Sequence, residues 1–185
     1  MIFDLPTSVE FGGREWAIET DYRQVIRVLT AFEDPDLTDA EKATICLYNL
    51  YVDLEDIPGD QMQEAFDAAI AFIDAGNGGN EGGPRTMDWT QDAPLIFPAV
   101  NRAAGFEVRS VDYMHWWTFL GYFMEIKDTT YATVLGIRSK KGRGKKLEKW
   151  EKDYWNENRK VCELKARYTE EELEEQERLR KIIGG

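Results

Sequence analysis

Residues 109–146 read RSVDYMHWWTFLGYFMEIKDTTYATVLGIRSKKGRGKK. Tyr113, Trp116, Trp117, Leu120, Phe123 and Met124 recur at helical spacing, which predicts a helix starting at Asp112 with most of these side chains in a core. Adjacent tryptophans on a helix point about 100° apart. Trp116 and Trp117 can therefore both be core only if the helix is wrapped on two sides, and one of them is expected at an interface, where Trp is enriched. Residues 128–136 follow as a short helix or connector, and SKKGRGKK is a polar, glycine-broken basic segment.

Working outward towards the N-terminus, residues 8–18 (SVEFGGREWAI) alternate polar and apolar positions around Gly12-Gly13 and predict a β-hairpin. Asp21 caps a helix whose Tyr22, Val25, Ile26, Leu29 and Phe32 share one face. Thr38 and Glu41 fit a capping box for the next helix, which carries Ile45, Leu47, Tyr48, Tyr51 and Val52. Asp60 is read as the cap of a third helix, with Phe66, Ala69, Ile70 and Ile73 on its apolar stripe and Gly76 as its stop. GNGGNEGGP, residues 76–84, is a loop; it has no P-loop Lys-Ser/Thr ending and follows no buried strand, so a phosphate cradle is not expected. Asp88 or Thr90 starts a further helix, in which Pro94 is tolerable but Pro98 predicts a kink or break.

Beyond residue 146 the chain is helical in character with opposite charges interleaved. Its apolar positions are sparse: Leu147, Trp150, Tyr154, Val161, Leu164, Tyr168, Leu173, Leu179, Ile182 and Ile183. This predicts a solvent-exposed charged arm, broken near Thr169 and ordered by a partner. The charge divides at the same place. Residues 1–137 hold 8 Lys/Arg against 24 Asp/Glu, whereas residues 138–185 hold 15 against 11. The expected architecture is mainly α: a compact acidic helical body (1–137) with an N-terminal hairpin, then a basic linker and charged helical arm (138–185). Removing residues 147–185 is expected to leave the body folded.

The chain has 185 residues and a net charge of −12. That balance disfavours DNA or an anionic membrane as a whole-surface partner. No apolar run approaches the roughly 20 residues that cross a bilayer, and residues 1–13 lack the pattern of a signal peptide. Cys46 and Cys162 lie outside metal-ligand spacing and read as free thiols in a reducing cytoplasm. His115 is the only histidine, so no histidine cluster can hold zinc; it reads as a hydrogen-bonded structural residue. No catalytic constellation, metal site or cofactor site is expected. Seven cations lie between Arg138 and Lys149, but no aromatic interleaves them, so docking to an acidic protein surface is favoured over nucleic acid.

Several short motifs occur in a fixed order: Thr20-Asp21-Tyr22-Arg23, Asp39-Ala40-Glu41-Lys42, Met87-Asp88-Trp89-Thr90-Gln91-Asp92-Ala93, His115-Trp116-Trp117-Thr118-Phe119, and Ile137-Arg138-Ser139-Lys140-Lys141. Together they resemble the bacteriophage gene-product-fifteen family over nearly the whole chain. Met87 stands where that family's pattern has an aromatic, and Pro94 and Pro98 interrupt the helix after the Asp-Ala pair. The resemblance implies a protein encoded in the tail-gene region of long-tailed phages, between the tail-tube and tape-measure genes, and acting in the host cytoplasm. It implies a non-catalytic tail assembly chaperone that coats the tape-measure protein, helps to recruit tail-tube subunits and leaves the finished particle. The alternative it leaves open is a minor structural tail component retained in the virion. Expected contacts to partners, including a second copy, are Trp116, Trp117 and Phe119 with the basic ridge Arg138, Lys140, Lys141, Arg143, Lys145 and Lys146.

Overall fold

A computed structural model describes residues 4–75, 83–169, 171, 172 and 174. Two strands, β1 (Ser8–Phe11) and β2 (Arg14–Ala17), pair antiparallel with Ser8 opposite Ala17 and Phe11 opposite Arg14. Gly12 and Gly13 take φ of 59° and 71°, the positive values a two-residue hairpin turn requires. A Cβ at Gly12 would also press on the end of the Gln61 side chain, which would have to shift.

The hairpin leads into α1 (Tyr22–Phe32), started by Asp21, whose carboxylate accepts from the Arg23 N–H. Helix α2 (Asp39–Leu50) opens with the expected Thr38–Glu41 capping box. Helix α3 (Met62–Ile73) differs from expectation at its start. A 3-10 turn over Gly59–Gln61 absorbs Asp60, and Gln61 takes the cap position without a side-chain bond. Helices α1, α2 and α3 pack in sequence, and the hairpin lies on α3. Val25, Val28, Cys46, Leu50, Ala65 and Ala69 are fully buried between these elements. The stop expected at Gly76 and most of the 76–84 loop lie outside the described residues.

The second half holds α4 (Ala93–Ala104), α5 (Trp116–Met124) and α6 (Thr130–Gly142). Pro98 does not end α4. It costs one backbone bond, but Ile96, Ala99 and Val100 around it are buried and hold the helix in place. Helix α5 begins at His115 rather than Asp112, because residues 113–115 are drawn alongside the start of α1. The Tyr22 N–H donates to the Met114 carbonyl, and the Trp116 N–H donates to that of Thr20.

The division at 137/138 is not where the fold divides. It falls inside α6, which runs through Arg138, Lys140 and Lys141 to Gly142. Helices α7 (Lys149–Glu157) and α8 (Arg159–Cys162) follow, and α8 packs on both α6 and α7. Cys162 is fully buried. Most side chains of residues 147–168 are exposed, as expected, but the arm is corrected from one that waits for a partner: polar and charged side chains of the body hold it as far as residue 168, which sparse apolar spacing could not reveal. At Thr169, Glu172 accepts from the threonine N–H and the Glu172 N–H donates back to its hydroxyl, a capping pair. Leu173, Leu179, Ile182 and Ile183 are outside the described residues.

Candidate functional site

The His-Trp-Trp segment is a junction between distant parts of the chain. The His115 Nδ1 accepts from the Trp117 N–H at 3.0 Å and so caps α5. That role makes Nε2 the protonated nitrogen, and it donates to the Pro6 carbonyl at 2.9 Å. The Trp116 indole N–H donates to the carbonyl of Ile73, and the Trp117 indole N–H to that of Phe72, each at 2.8 Å. Both acceptors lie at the C-terminal end of α3, where helix carbonyls run short of intrahelical donors, and the Phe72 carbonyl also accepts from the Ala75 N–H. Adjacent tryptophans therefore share one task despite pointing in different directions.

Trp116 and Phe119 are buried, and Trp117 is half-buried with its ring stacked on Phe72. Phe119 stacks on Tyr22, with ring centroids 4.5 Å apart and planes 2° from parallel. The expectation that Trp116 and Phe119 touch a partner is corrected: the protein's own interior occupies them.

The basic ridge divides in the same way. Arg138 is buried, and its guanidinium uses all five N–H donors. Nε donates to the Cys162 carbonyl; the terminal nitrogens donate to the carbonyls of Thr86 and Val161 and to both carboxylate oxygens of Asp92. Arg138 is thus also corrected from partner contact to internal tie. Asp92 stands at the cap position of α4, yet it faces Arg138 and the Asp88 N–H instead of the helix end. Lys140 is half-buried and pairs with Glu151, which is itself buried. Lys141 is exposed and lies over the Trp155 ring, 3.7 Å from its centroid. Arg143, Lys145 and Lys146 are exposed on the turn between α6 and α7.

A second ionic cluster secures residues 163–167. Arg167 bridges Asp88 and Glu33 at 2.7 and 2.6 Å, and Arg85 also pairs with Asp88. The Gln91 amide donates to the Glu163 carbonyl and accepts from the Lys165 N–H, so one side chain reads two backbone groups of the irregular segment after α8. Burial raises the pKa of Glu33 despite its contact with Arg167. Burial also pulls Asp88 upward, but the Gln91 N–H and Arg167 outweigh it and hold its carboxyl below the usual range.

Both cysteines and the single histidine are enclosed. Burial pushes the Cys46 thiol up to about 12 and raises that of Cys162. Both ring nitrogens of His115 are engaged. Among the described residues, no group of three or more His, Cys, Asp or Glu side chains is placed to hold a metal ion. No helix among them is long and apolar enough to cross a membrane.

What the surface does offer is a cleft of about 610 Å³ between α1, α2 and α3. Phe32, Ala43, Leu47, Met62 and Phe66 give it an apolar lining, with Asp39, Lys42 and Gln63 completing the wall. Phe32 and Phe66 meet at a centroid distance of 6.4 Å and an interplanar angle of 62°. Periodicity places Phe32, Leu47 and Phe66 on the apolar faces of three separate helices. No local signal shows that those faces converge and stay partly open.

A small N-terminal hairpin stapled to a helical assembly, with polar ties between distant segments and an open apolar cleft, defines a mainly α protein. A family model described as Bacteriophage Gp15 protein matches residues 1–164. The chain belongs to that bacteriophage family. No curated protein and no solved structure matches it. The motifs that carry the earlier resemblance are the ones that tie the fold: Asp21 accepts from the Met114 N–H, Thr20 pairs with Tyr113, and Asp92 holds Arg138.

Proposed function

We propose that this protein is a non-catalytic tail assembly chaperone, acting in the host cytoplasm on the tape-measure and tail-tube proteins during tail morphogenesis. The observation that carries the reading is the open apolar cleft of α1–α3 on a member of a bacteriophage family. An assembly factor must hold apolar segments of other chains reversibly, and a partly exposed cleft on an acidic surface suits that task. The enclosure of Cys46, Cys162 and His115 supports a non-enzymatic role. Arg143, Lys145 and Lys146 remain as a cationic turn through which copies can associate with each other's acidic surfaces. No nucleic acid, membrane or cofactor enters this reading.

Mass spectrometry of purified virions tests it against a structural tail component. An assembly factor is absent from finished particles or present only in traces. Stoichiometric recovery with the tail proteins would contradict the proposal.

A further inference from the structure

The α1–α3 cleft lies in a strongly acidic part of the chain. From Glu33 to Asp74 there are twelve Asp or Glu and a single cation, Lys42. Asp39 stands in one wall beside Lys42, the one cation of the lining, and on the other the Gln63 amide donates to Asp67, which brings a further carboxylate beside the lining and leaves the rim net negative. Acidic flanks around an apolar floor select a particular occupant. An extended apolar strand would leave the charged rim unanswered. A helix with an apolar stripe enters such a groove through side chains at i, i+3, i+4 and i+7, and its flanks then face the rim.

We infer that this cleft is the docking groove for an amphipathic helix with cationic flanks, supplied by another polypeptide. The inference rests on the assembly reading and names the chemistry of its client. Phe32, Leu47 and Phe66 receive the apolar stripe, while Asp39 and Asp67 meet Lys or Arg beside it. The buried core beneath the cleft supplies a rigid floor, so little ordering of this protein opposes binding.

Fluorescence anisotropy on the full chain tests this. The probe is a synthetic peptide of about 18 residues, long enough to form a helix, with Leu at i, i+3, i+4 and i+7 and Lys elsewhere. Two controls have the same length: a scrambled Leu/Lys order, and the ordered peptide with Glu in place of Lys. The ordered Leu/Lys peptide should bind about tenfold tighter than either control. Ala43→Trp, which fills the cleft without changing charge, should weaken it about tenfold while the helical circular dichroism signal stays unchanged. Should that variant fail to fold, Gln63→Trp on the exposed rim gives the same reading.

Equal binding of ordered and scrambled peptides, or indifference to both cleft-filling variants, would overturn the inference. So would loss of self-association in Ala43→Trp, since a second copy would then be the occupant. None of these results alters the virion composition, so the assembly reading is judged separately.

Discussion

Arg138 and Asp92 form a two-pronged ion pair, at 2.6 and 2.9 Å, with both side chains almost wholly removed from solvent. The pair joins α6 to the start of α4 across 46 positions of sequence. Breaking one side of such a pair leaves a buried charge without its counter-ion, which costs about 3–5 kcal/mol. Arg138→Met and Asp92→Asn should each lower unfolding free energy by that order in urea denaturation. Asp92→Leu combined with Arg138→Met should recover part of the loss, because no charge is left stranded, although the carbonyls of Thr86, Val161 and Cys162 and the Asp88 N–H still lose their partners. Equal losses in the single and double variants would show that the pair is not the source of the effect.

The paired tryptophans make a sharper test of the junction. Trp117→Phe removes one donor from the Phe72 carbonyl at the end of α3, which still accepts from the Ala75 N–H. The expected cost is about 1 kcal/mol, because that site is half-buried and water can reach it. Trp116→Phe strands the Ile73 carbonyl in the interior and should cost more, about 1–3 kcal/mol. Thermal unfolding of both variants gives the order directly, and the reverse order would contradict the assigned roles.

Truncation addresses the packing of the C-terminal region. Deleting residues 147–185 takes from Arg138 the carbonyls of Val161 and Cys162 and removes Glu151 from Lys140. It also removes Arg167 from Asp88 and Glu33. The truncated chain should therefore unfold at clearly lower denaturant concentration than the whole protein. An unchanged midpoint would restore the picture of an independent body and a free arm.

Acid should expose a further contribution. Hydrogen bonds from the Arg109 side chain, aided against burial by the Arg109 N–H and the Asn101 amide, hold Glu107 at about 2 rather than the ordinary 4.5. A carboxyl lowered in the folded state stabilises the fold fully above its unfolded value, and the contribution is lost as pH falls through the folded one. Stability should thus decline between pH 4.5 and about 2, with Asp88 contributing in the same sense. Glu33 acts oppositely, since burial raises it and favours its protonated form. Glu107→Gln should flatten the acid limb in denaturation curves taken across this range; an identical slope would remove Glu107 from the account.

The hairpin and the starts of α1 and α2 were legible because their causes are local. Gly12-Gly13 sets the turn, Asp21 caps the residue two positions on, and Thr38 meets Glu41 three positions on. Where the cause is distant, local reading failed. His115 rather than Asp112 starts α5 because the start of α1 holds residues 113–115 in place. Trp116 and Phe119 are interior because α3 and Tyr22 come to meet them. Arg138 reads as part of a surface ridge until Asp92 is known to lie against it. The cleft needed three helices at once, so no single apolar stripe announced it.

The central claim is that this protein keeps another chain's apolar helices in solution, and the fate of the tape-measure protein in the cell measures that most directly. The soluble fraction of tape-measure protein should be quantified when it is expressed alone and when it is expressed with this chain. The account predicts aggregation alone and a largely soluble, co-purifying tape-measure protein in company. A tape-measure protein that stays equally insoluble in both cells would contradict it.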